Sequence, residues 1–191
     1  MILFWTNRKK GRKIFTRITI ASLVILFGCS PVSLATDLTL NNTPVEVYFS
    51  PHGGCTQAII KQIDQAKSEI LVQAYSFTSA PIAKALLDAH KRGVLVEAIL
   101  DKSQRTERYS SATFLSNAGI PTYIDDKHAI AHNKIMIIDR ASVITGSFNF
   151  TNAAEEKNAE NLLILHSKEL AKVYLENWDR HKEHSEAYKR Q

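Results

Sequence analysis

The chain reads as an α/β domain with a mixed, largely parallel β-sheet sandwiched between helices. Three observations predict this. Between residues 45 and 124 short apolar runs alternate with segments of helical periodicity; after residue 128 two apolar runs are joined by only three residues; and a long amphipathic segment closes the chain. Strands alternating with helices of about 10 to 15 residues imply right-handed crossovers, parallel strands and helices on both faces. The tight connection implies a hairpin, which makes the sheet mixed.

The elements follow in order. Val45 to Phe49 is a strand by composition, stopped by the turn formers Ser50-Pro51-His52-Gly53-Gly54. Ala58, Ile59, Ile63 and Ala66 recur at helical spacing, and Ile70 to Tyr75 is the next strand. Ser79 before Pro81 is an N-cap before an early helical proline, Ile82, Ala85, Leu86 and Ala89 mark an apolar face, and Gly93 ends that helix. Val94 to Leu100 is a strand. A polar stretch, Asp101 to Ser111, leads into a helix through Phe114, Leu115 and Ala118, closed by Gly119 before the strand Ile120 to Ile124. Asn133 to Ile138 and Ser142 to Ser147 form the hairpin around Asp139-Arg140-Ala141, Glu160 to Leu165 adds a strand, and Lys168 to Tyr188 is the closing helix.

Charge divides the chain in two. Of 24 basic residues six precede Asp37, where there is no acidic residue, so from Thr36 onward 18 basic residues face 19 acidic ones. The apparent net charge of +5 therefore sits at the front, and the folding part is close to neutral. With 45% apolar and 23% charged residues the composition is that of a globular protein and excludes a disordered chain, a collagen-like repeat and a multispan membrane protein.

The basic front is followed by the apolar run Ile18 to Gly28, too short for the roughly 20 residues of a bilayer-spanning helix. Residues 1–35 read as a signal peptide, with Ser33-Leu34-Ala35 as the cleavage site and a single domain over residues 36–191. Leu26-Phe27-Gly28-Cys29 is the alternative, a lipoprotein signal acylated on Cys29, and an uncleaved anchor would place Arg17 within the membrane. Each reading exports the domain, to the periplasm or beyond. After cleavage Cys55 is the remaining thiol, expected to be buried rather than paired.

The chemistry concentrates in His132, Lys134 and Asp139, followed by Gly146-Ser147-Phe148-Asn149. Strand parity points His132 and Lys134 the same way, about 6.6 Å apart, and sets Ser147 and Asn149 on one face of the next strand. The hairpin brings an imidazole, an ammonium, a hydroxyl and an amide together, a set suited to a phosphodiester whose phosphorus the imidazole attacks. The run Ile135 to Ile138 reads as buried, so Lys134 needs an anion there. Asp139, at the hairpin tip, reads by itself as a turn former. Glu160 is placed to hold the other ring nitrogen of His132.

The pattern H-x-K-x4-D-x6-G-S-x-N is similar to the signature of the phospholipase D superfamily. The wider chain, over roughly residues 44 to 185, resembles the small bacterial endonucleases of that family through Val45 to Ser50 with Gly53-Gly54, Tyr75-Ser76-Phe77, Val96 to Asp101 and Ala159-Glu160-Asn161. The resemblance implies a phospholipase D-like fold and a catalytic set of His132, Lys134, Ser147, Asn149, Glu160 and the motif's Asp139. In it His132 forms a phosphohistidine, Lys134, Ser147 and Asn149 bind the phosphate, and Glu160 partners His132. Such enzymes bring two motif copies to one site and this chain holds one, which points to an obligate homodimer with a shared active site.

No cofactor and no metal is expected at that site, since Lys134 and paired His132 rings supply the positive charge. Asp125 and Asp126 before His128 read as a solvated turn rather than a ligand cluster. His90, His166, His181 and His184 read as surface residues, His52 as a loop histidine, and His128 as close enough to His132 to touch substrate. Arg105 and Arg108 are placed to grip a polyanion. Two substrates fit the motif: nucleic acid, cleaved with little sequence preference, and a phosphatidyl lipid losing its head group. The polar character of Asp101 to Ser111 favours nucleic acid. A non-catalytic phosphate-binding module is the third reading.

Overall fold

A computed structural model describes residues 35–189; the expected signal segment and Cys29 lie outside the described residues. From Thr36 onward the chain forms one compact unit. Eight strands make one sheet: β1 (Val45–Ser50), β2 (Glu69–Ala74), β3 (Leu95–Asp101), β4 (Thr122–Asp125), β5 (Lys134–Ile138), β6 (Ser142–Gly146), β7 (Glu160–Leu165) and β8 (Glu186–Ala187). Their order across the sheet is β1-β7-β6-β5-β2-β3-β4-β8. The helices are α1 (Cys55–Gln65), α2 (Ala80–Lys91), α3 (Ser111–Asn117), α4 (Asn152–Glu156) and α5 (Lys168–His184), with a 3₁₀ turn at Lys102–Arg105.

The sheet is mixed, as expected, but its parallel part is small. Only β2–β3 and β3–β4 pair in parallel, and the other neighbours are antiparallel. The reason lies in where β1 goes. The alternating antiparallel pairs leave β1 running in the same direction as β2, as a strand–helix–strand crossover requires, yet β7, β6 and β5 are inserted between them. Periodicity reports direction and does not report neighbours.

Alternation along the strands builds two cores. Ile70, Val72 and Ala74 of β2 with Met136 and Ile138 of β5 pack under α1 and α2, against Ile59, Ile63, Ile82 and Leu86. Leu71, Ile99, Ile135, Ile137 and Val143 face the other way and meet Ala171 and Trp178 of α5. Each fully buried Ile or Leu contributes roughly 1.5–3 kcal/mol of transfer free energy. Trp178 donates its indole N–H to the Val72 carbonyl at 3.1 Å, so its one polar atom is matched. Cys55 is buried and free, and burial pushes its thiol up to about 11, which leaves it unreactive.

The closing helix is shorter than its apolar pattern suggested. It stops at His184, and Glu186–Ala187 turns back to pair with β4 at Tyr123 and Ile124.

Candidate active site

The parallel strands β2, β3 and β4 end side by side, at Ala74, Asp101 and Asp125. All three ends fasten the loop that carries His132. Asp101, 2% exposed, accepts the Ala131 N–H at 2.7 Å. The Tyr75 N–H donates to the Asn133 carbonyl at 2.7 Å. Asp125 holds the imidazole of His128, whose carbonyl in turn accepts from Lys102 Nζ at 3.1 Å. The loop is thus tied at the carboxyl ends of parallel strands, where α/β sheets bind ligands.

His132 is exposed at the end of this loop, and Lys134 opens β5 with only 7% of its surface accessible. Lys134 Nζ lies 3.0 Å from both the carbonyl and Nδ1 of His132, which leaves Nε2 free of that contact. The Tyr75 ring completes the group, 4.5 Å from the imidazole and 5.0 Å from the ammonium. Burial pushes the Lys134 ammonium below its ordinary value, and the negative charge of Glu160 opposes the shift. Tyr75 was legible as the end of a strand and as part of the resembling segment Tyr75-Ser76-Phe77, but neither reading placed its ring against His132 and Lys134.

The β5–β6 register, Met136 opposite Ile144, carried two residues further sets Gly146 beside Lys134. Gly146 has φ 147°, and a Cβ there would lie 2.3 Å from the Asn161 carbonyl oxygen. Only glycine allows β7 to come that close, and the same carbonyl then accepts the N–H groups of Ser147 and Phe148 at 3.1 and 3.2 Å. Phe148 and Phe150 are fully buried, so the alternate residues Ser147 and Asn149 turn the other way. Asn149 Oδ1, an acceptor, is buried without a hydrogen-bond partner among the described residues.

Glu160 does not meet His132 as expected. Its carboxylate accepts from Ser147 Oγ at 2.6 Å and from Asn158 Nδ2 at 3.1 Å. β6 lies between β7 and β5, so the Ser147 hydroxyl at the end of β6 reaches the carboxylate first. Asp139 is also outside the cluster, at the opposite end of β5 from Lys134, roughly 16 Å away at strand rise. There it accepts the N–H groups of Lys67, Ser68 and Glu69 and the Ser68 hydroxyl, a turn former with a wider reach than its own hairpin.

Other expectations change as well. Asp125 is no solvated turn; it is fully buried. His181 and His184 are not free surface groups, with 16% and 30% of their side chains exposed and both aimed at Asp125. Arg105 is paired with Glu186 at 2.7 Å, and Arg108 lies over the Tyr109 ring. His52 pairs with Glu156, and the nearby Gly54 and Thr56 N–H groups are taken by the Glu155 carboxylate, so that loop is closed to a phosphate.

Residues 59–182 match the family model described as cardiolipin synthase, PLD-like domain. A phospholipase D of Rickettsia felis is 48% identical over 73% of this chain and 70% of its own. The chain belongs to the phospholipase D superfamily. Among solved structures, the phospholipase D family member Nuc from Salmonella typhimurium is 41% identical, with a TM-score of 0.74 over 77% of this chain and 99% of that one. Human mitochondrial cardiolipin hydrolase is 30% identical over 68% of this chain and 52% of its own length. The phospholipase D fold accounts for the sheet, and the family's chemistry makes the protein a hydrolase of phosphodiester bonds.

Proposed function

We propose that the protein hydrolyses phosphodiesters through a phosphohistidine on His132, without a metal at the reacting phosphorus, and that its substrate class is the backbone of DNA or RNA. The observation that carries this reading is the exposed His132 ring beside a buried ammonium, with Lys134 Nζ 3.0 Å from Nδ1. The phosphate of a bound diester takes up the Lys134 charge and the Asn149 amide N–H, and the Ser147 hydroxyl turns to it from Glu160. Once Lys134 Nζ turns from Nδ1 to the phosphate, Nδ1 carries the ring proton and His132 Nε2 bonds to phosphorus as the ester bond breaks, while the departing oxygen takes a proton from the partner subunit's His132 across a two-fold axis. That imidazole next removes a proton from water, whose oxygen displaces His132 from phosphorus and restores both rings. A single chain offers one such imidazole, which is why a homodimer with a shared site belongs to the proposal. Export through the segment before Thr36, to the periplasm or beyond, completes it.

Nucleic acid is favoured by the openness of the His132 loop and by the polar run Lys102 to Glu107 beside it. A second reading, head-group hydrolysis of a phospholipid, is supported by a feature of the same stretch. Tyr109 is 75% exposed and Phe114 44%, and together with Ala80 and Ala83 they line an apolar hollow suited to lipid chains. Plasmid, single-stranded DNA, RNA and phosphatidylcholine vesicles, each incubated with the protein in EDTA, separate the two readings. The expected result is nicking and degradation of nucleic acid, abolished by His132→Ala. Turnover of phosphatidylcholine alone would transfer the assignment to the lipid, and turnover surviving His132→Ala would end the phosphohistidine reading.

A further inference from the structure

Four side chains converge outside the His132–Lys134 cluster, and the hydrolysis uses none of them. Asp125 ends β4 and is 0% exposed; His128 follows it by three residues; His181 and His184 lie three residues apart in the last turn of α5. One ligand atom from each lies within 4.8 Å of all the others. His181 Nδ1 and His128 Nδ1 are 2.7 and 3.0 Å from Asp125 Oδ2, and His184 Nε2 is 3.4 Å from Oδ1. The three rings pack on one another with centroids 4.9 to 5.3 Å apart.

Contacts within the protein leave this group unsatisfied. A single carboxylate, which also accepts the Lys127 N–H, faces three imidazoles. His184 Nε2 is buried and finds no hydrogen-bond geometry among the described residues. An unmatched buried polar atom is a standing cost, and it points at the same spot as the other three donors.

We propose that Asp125, His128, His181 and His184 bind a divalent transition-metal ion, zinc by the nature of the donors. Three imidazole nitrogens and one carboxylate oxygen suit zinc, whereas calcium and magnesium take shells of oxygen. Tetrahedral zinc separates its ligand atoms by roughly 3.4 Å, so small side-chain adjustments suffice. The spacing D-x-x-H with H-x-x-H puts each pair one turn or one short loop apart. Four protein ligands close the shell, so the ion does not take part in phosphodiester hydrolysis. It staples the end of α5 to β4 and to the loop that carries His132.

The test reads zinc directly. The purified protein, stripped with chelator and dialysed, is titrated with zinc sulfate by calorimetry and followed by thermal unfolding. One zinc per chain and a raised Tm are expected, with chelation lowering Tm while turnover well below Tm persists. His181→Ala and His184→Ala should each weaken binding by roughly 100-fold and cancel the rise in Tm, while His166→Ala and His132→Ala keep both. Cobalt(II) in place of zinc should give the intense visible bands of a four-coordinate ion. His184 is partly exposed, so its replacement leaves the fold intact where that of buried Asp125 does not. Absence of saturable binding, unchanged affinity in His184→Ala, or loss of zinc in His132→Ala would overturn the proposal.

Discussion

Lys134 is held under two opposing influences, burial that disfavours its charge and the carboxylate of Glu160 that favours it, with burial the larger. The free protein therefore loses this ammonium at a pH below the ordinary lysine value of about 10.4. A bound diester restores the charge. The expected outcome is a basic limb in kcat/KM that lies below the lysine range, and a limb in kcat displaced to higher pH, since the first reports free enzyme and the second the complex. Lys134→Arg should remove both limbs, because a guanidinium does not titrate there. Profiles that keep the limb in Lys134→Arg would assign it to another group. His132 and Lys134 were legible in the sequence because an ammonium opening a run as apolar as Ile135 to Ile138 demands an anion. The partner of Glu160 was not legible, since it depends on β6 lying between β5 and β7, and strand order leaves no local trace.

At the scale of elements, the β5–β6 hairpin shows how one turn serves two places. Asp139 and Arg140 both have φ 53°, and the Asp139 carboxylate reaches past its own turn to three consecutive N–H groups where α1 gives way to β2. Burial raises its pKa, and the N–H groups of Glu69, Ser68 and Lys67 outweigh that and hold the carboxyl below its ordinary value. A depressed carboxyl contributes stability that is complete above the unfolded value of about 3.9 and is lost as pH falls through the folded value. Asp139→Ala should cost about 1–2 kcal/mol in urea unfolding at neutral pH, with the difference fading in acid, and should leave turnover of the folded protein unchanged. A selective loss of kcat at full stability would return Asp139 to the site. The helices and strands themselves were legible from periodicity, down to Glu160–Leu165. The short pieces were not: α4 and β8 are too brief to show a period, and β8 exists only because β4 offers it an edge.

For the molecule as a whole, the decisive property is that a single chain brings one His132 to the site. Dimers formed by refolding wild-type and His132→Ala chains together should lose activity as the square of the wild-type fraction, with light scattering reporting the mass of two chains throughout. A linear loss would mean that each chain works alone. The near neutrality of the chain from Thr36 onward sets a second expectation at this scale, because affinity for a polyanion then rests on a few local contacts.

The anchoring of the His132 loop bears on how this surface segment moves. The Ala131 amide donates to a carboxylate that is 2% exposed at the end of a central strand. Its proton is therefore expected to exchange with deuterium only when β3 and its neighbours separate, on the timescale of the sheet core rather than that of the neighbouring loop amides. The His132 imidazole would then ride on a stretch of backbone as quiet as the interior, ready for a substrate without first having to be stilled by it.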